Sequence, residues 1–72
     1  MTHRIEIRQF GNELASFPTT SNVEHEIDEH EFMAACAVAD SLHMHGRLET
    51  GYYEVVLVNS QGGDLDSMEA VA

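Results

Sequence analysis

The chain has no lysine and no tryptophan, and only one proline, one cysteine and three arginines among its 72 residues. Each scarcity excludes something. A lone cysteine, Cys36, rules out an internal disulfide and fits a reducing compartment. Three cations cannot form the basic stripe that phosphate contacts require, so direct nucleic-acid binding is not expected. The leading MTHRIEIRQF lacks the basic region and apolar run of a signal peptide, and no apolar stretch approaches the roughly 20 residues that cross a bilayer. The expectation is a cytoplasmic protein without membrane contact. At this length there is room for one domain, whose core supplies no more than about 3–5 kcal/mol.

What the chain has in excess is acid. Thirteen Asp and Glu against three Lys and Arg give a formal net charge of −10, where a small soluble domain usually carries a magnitude of about 2–8. Charge of one sign repels itself and destabilises the compact state, so such an excess calls for solubility, steering or a complementary partner. Disorder is disfavoured: 43% of the residues are hydrophobic and they fall into periodic blocks.

From His3 to Phe10, Ile5 and Ile7 alternate with Arg4, Glu6 and Arg8, the period of a half-buried strand. Gly11-Asn12 suits a type II′ reversal, with Glu13 to Phe17 as the returning strand; a strict two-residue loop puts Phe10, Ala15 and Phe17 on one face and Ile5 and Ile7 on the other, a mismatch that a bulge can repair. Pro18 ends that strand. Asp28 then reads as an N-cap with Glu31 as its capping-box partner, and Ile27 and Phe32 form a hydrophobic staple. Phe32, Ala35, Cys36, Ala39 and Leu42 or His43 follow at helical spacing, rich in small residues, and Gly46 fits the C′ position. YYEVVLVN, residues 52–59, reads as the central strand, and Gln61 to Asp64 as a turn. The predicted fold is α+β in the order β-β-α-β, one helix on a small, mainly antiparallel sheet. Its parts are a β-hairpin at 3–17, a helix at 28–45, a strand at 52–59 and, at 64–72, an acidic tail or short element, with the tail preferred over a short final strand or a single helical turn.

The segment EHEIDEHE places Glu24, Glu26, Asp28, Glu29 and Glu31 within eight residues. Acids in a first helical turn favour the positive end of the helix dipole, which accounts for Asp28, Glu29 and Glu31 but not for Glu24 and Glu26. Asp64, Asp66 and Glu69 form a second cluster. Together these eight residues are the candidate partner-binding set, facing the basic surface of a nucleic-acid-binding protein or complex. No metal site is expected: His25 to His30 and His43-x-His45 lack the i, i+4 spacing that puts two imidazoles on one helix face. The serines have no nucleophile-elbow context and Gly62-Gly63 is too short for a phosphate loop, so neither catalysis nor a cofactor is expected.

A short α+β chain with clusters such as EHEIDEHE and DLDSMEA and hardly any basic residues resembles the phage-encoded DNA-mimic inhibitors, including several anti-CRISPR proteins. The resemblance covers the whole chain in size and charge and rests on no shared motif. It implies an inhibitor, monomeric or weakly dimeric, that occupies the basic DNA-binding channel of a bacterial defence assembly, with a type I CRISPR surveillance complex as the target to test first. Two other classes fit the residues: a small assembly adaptor using a hydrophobic patch, and a histidine-dependent metal-responsive protein.

Overall fold

The computed structural model describes residues 3–19 and 26–72. Five elements follow one another: β1 (Arg4–Gln9), β2 (Asn12–Pro18), α1 (Glu29–Met44), β3 (Tyr52–Val58) and β4 (Asp64–Val71). The strands form one antiparallel sheet in the order β2-β1-β3-β4. The order is thus β-β-α-β-β, and the expected β-β-α-β is corrected by a fourth strand. Asp64 to Val71 is that strand, not a tail, and sheet predominates over helix. Asp, Glu, Ser and Ala are poor strand formers, which hid it. Tertiary pairing overrides propensity here, because β3 offers β4 an open ladder from Tyr52↔Val71 to Val58↔Asp64.

The face of the sheet that carries Ile5, Ile7, Tyr53, Val55 and Leu57 holds the core, with Ala35 and Ala39 of α1 buried against it. Alanine at those two positions puts no bulk between helix and sheet. The sheet faces are aligned by a bulge: pairing runs Ile7↔Ala15 and then Arg8↔Glu13, which leaves Leu14 as the extra residue and returns Ala15 and Phe17 to the core side. The reversal itself sits one residue earlier than expected. Gln9 pairs with Asn12, so Phe10 and Gly11 are the two loop residues, with φ of 54° and 78°. Two positive φ values make a type I′ loop, whose twist suits a hairpin.

The helix begins and ends as its sequence specifies. Asp28 Oδ1 accepts the Glu31 N–H at 2.7 Å. At the other end Gly46, at φ 74°, lets its own N–H reach the His43 carbonyl at 3.1 Å and the Arg47 N–H reach the Leu42 carbonyl at 2.8 Å. This pair of bonds is a Schellman closure. The loop beyond is pinned by a buried amide: Gln9 Nε2 donates to the Glu49 carbonyl and Gln9 Oε1 accepts the Glu49 N–H, each at 2.8 Å. Gln9 thereby satisfies backbone groups that a buried loop would leave unpaired.

A candidate acidic interface

The two acidic clusters, 39 residues apart in sequence at their junction, adjoin in space. The Ile27 N–H, one residue before the helix cap, donates to Asp66 Oδ2 at 3.0 Å. This bond ties the entry of α1 to edge strand β4. Around the junction Glu26, Asp28 and Glu29 are exposed. Asp66 is half-buried and holds Ile27, so it orders the edge as well as charging it.

The other candidates divide. Glu31 is only 2% exposed, on the inner line of the helix with Ala35 and Ala39, and is withdrawn from the partner-facing set. The spacing of four from Glu31 to Ala35 to Ala39 puts it over the sheet, which the capping-box reading did not consider. Asp64 is exposed but held by Arg8, Nη1 to Oδ2 at 2.9 Å and Nη2 to Oδ1 at 3.0 Å. Glu69 is exposed on the far face of the sheet. Glu24 lies outside the described residues.

That far face shows what becomes of the arginines. Arg4 donates from Nε and Nη2 to Glu6 Oε2 at 3.0 and 2.8 Å, and Arg8 Nε donates to Glu6 Oε1 at 2.9 Å. Burial alone would raise the pKa of Glu6, but the Arg8 and Arg4 guanidiniums hold it below the usual 4.5. Hydrogen bonding to Asp64, then to Glu6, pushes Arg8 up, and Arg8 in turn lowers Asp64. To reach Asp64, in the row of Val58, from its own row beside Glu54, Arg8 crosses β3 on the side of Val56. Val56 and Val58 are 2% and 0% exposed on this face, and arginine stems are well suited to cover such side chains. The Arg4–Glu6–Arg8–Asp64 network is neutral. The whole net charge of −10 therefore lies outside it, opposed only by Arg47.

At the turn end of the same face, Phe10, Tyr52, Glu54 and Glu69 line a concavity of about 200 Å³ together with Arg8. Phe10 and Tyr52 are 75% and 69% exposed. Glu54 and Glu69 are direct cross-strand partners, a like-charge pairing that destabilises a sheet. Among the described residues neither makes an ion pair. Glu69 stands out in the sequence but the aromatic pair does not, because Phe10 and Tyr52 are brought together by the pairing of β1 with β3, which no local signal specifies.

Inside the core, Tyr53 meets Cys36 of the helix; burial, and then the hydrogen bond to that thiol, raises the tyrosine pKa. Among the described residues no three His, Cys, Asp or Glu side chains converge as a metal site would require, and no helix is long and apolar enough to cross a membrane. Comparison with protein-family models, with curated proteins and with solved structures gives no match in any of the three.

Proposed function

We propose that the protein is an acidic decoy: it occupies the basic nucleic-acid-binding surface of a protein partner and excludes DNA by competition. The observation that carries this is the separation of charge. Two of the three arginines are enclosed in a neutral network, while the acids at the helix entry and on β4 adjoin through the Ile27–Asp66 bond. Glu26, Asp28 and Glu29 are the foremost contacts, with Glu69 on the opposite face of β4. Long-range attraction speeds such an association and makes it sensitive to salt.

The partner class to test first is a DNA-binding defence assembly of bacteria, beginning with a type I CRISPR surveillance complex. Captured from lysate at low salt, that assembly should be released by added duplex DNA and by raised salt. The Glu26→Lys, Glu29→Lys double variant should lose capture while unfolding in urea as a single cooperative transition. A folded double variant that captures as well as the parent, or capture indifferent to DNA, defeats the proposal.

A second reading, an assembly adaptor, is favoured by one feature. The outward side of α1 carries Met33 and Met44 at 63% and 83% exposure. Capture that survives high salt but is lost in Met33→Glu would support it instead.

A further inference from the structure

We propose that the concavity between Phe10, Tyr52, Glu54 and Glu69 is a receptor for a single arginine side chain of the partner. The inference rests on the decoy reading and gives it a specific anchor. At about 200 Å³ the hollow is below the roughly 300–1,000 Å³ of small-molecule sites, a size for one side chain. Its chemistry selects a cation twice over. Phe10 and Tyr52 offer exposed aromatic surface, which attracts a guanidinium through the ring quadrupole. Glu54 and Glu69 stand directly opposite one another, and a planar fork that donates to both removes their repulsion.

The protein's own arginine does not fill that role. Arg8 is the cross-strand neighbour of Glu54, yet its guanidinium is committed to Glu6 and Asp64. The carboxylate pair is thus left for a cation from outside. Guanidinium is preferred to ammonium because it stacks on rings and forks between oxygens, whereas lysine is a compact, strongly hydrated point charge.

Phe10 also gives a variant that tests binding without risking the fold. A bulky residue at φ 54° is a backbone outlier, because left-handed geometry crowds the Cβ of an L-residue against the following carbonyl. Asparagine before Gly11 is the preferred type I′ pair, so Phe10→Asn removes the ring and relieves the backbone. Glu54→Gln with Glu69→Gln likewise removes a repulsion. Both variants should fold at least as well as the parent.

The experiment is an NMR titration of amide shifts in the full chain with N-acetyl-arginine amide, repeated with N-acetyl-lysine amide. Saturable shifts centred on residues 10, 52, 54 and 69 are expected, with lysine binding more weakly. Phe10→Asn should weaken arginine roughly two- to fivefold, and the double glutamine variant should abolish the response. Shifts without saturation, lysine binding as tightly as arginine, or an unchanged response in either variant overturns the proposal. Capture separates it from the parent reading. If Glu26→Lys, Glu29→Lys loses the partner while both pocket variants keep it, the receptor is wrong and the decoy stands. Arginine saturating this hollow while duplex DNA never displaces a captured partner upholds the receptor and refutes the decoy.

Discussion

Replacing Glu6 with alanine tests whether the outer face of the sheet is held by charge. Glu6 is 4% exposed and accepts three guanidinium hydrogen bonds between 2.8 and 3.0 Å. Removing one member of a fully buried ion pair costs about 3–5 kcal/mol, chiefly because the survivor stays dehydrated. Here the survivors are better off: Arg4 and Arg8 side chains keep 40% and 25% exposure, and Arg8 retains Asp64. The expected loss is therefore lower, about 2 kcal/mol. Against a total near 3–5 kcal/mol, that multiplies the unfolded population by about 30. With a urea slope of about 1 kcal/mol/M for so small a chain, the midpoint in far-UV circular dichroism should fall by about 2 M. A shift under about 0.5 M on that slope would refute the structural role assigned to the network.

The same residue predicts a pH dependence. Arg8 and Arg4 depress the Glu6 pKa in the folded state, so the folded carboxylate holds a proton less tightly than the unfolded one. Its stabilising contribution is complete above the ordinary value of 4.5 and is lost as pH falls through the depressed one. The stability gap between the parent and Glu6→Gln should accordingly narrow below pH 4.5. A gap constant from neutral to strongly acidic solution would mean that the carboxylate charge is not its source.

Two further substitutions probe the helix ends. Asp28→Ala removes the acceptor of the Glu31 N–H and should cost about 1 kcal/mol, or roughly 4–8 °C in thermal melting for a domain of this size; an unchanged melting temperature would show the cap to be dispensable. Gly46→Ala meets no atom within 4 Å of the added Cβ, so its expected loss of about 1 kcal/mol is a pure backbone effect of φ 74°. Equal stability of the alanine variant would show that the Schellman closure relaxes without penalty.

Local chemistry was readable wherever one residue type meets one backbone need. Asp28 at the cap, Gly46 past the helix end and the apolar run of β3 each carry their own signal, and the hairpin bulge follows from the mismatch between Phe10 and Ile7. What escaped depends on pairing. β4 has only Val71 as a strong strand former and exists through the ladder that β3 presents, so its own sequence leaves strand and tail undecided. The hairpin loop slipped by one because Gly11 suits either position of a two-residue turn, and only the positive φ of Phe10 decides it. Glu31 looked like a surface acid because capping explained it locally, while its place over the sheet comes from the spacing to Ala35 and Ala39. The junction of the two acidic clusters and the hollow beside Tyr52 both follow from register, and register is a property of two strands at once.

Among the described residues β4 pairs on one side only, at the end of the sheet, and such an edge is a template for an extended chain of suitable length. Glu69 on the far face and half-buried Asp66 on the helix side put a carboxylate on either flank of that edge. A second copy laid edge to edge would bring like charges together on each face of the joined sheet, Glu69 on one and Asp66 on the other, whereas a strand bearing arginines or lysines would meet compensating charge. The edge thus discriminates by sign: it resists growth of the sheet with its own kind and stays open to a basic stranger.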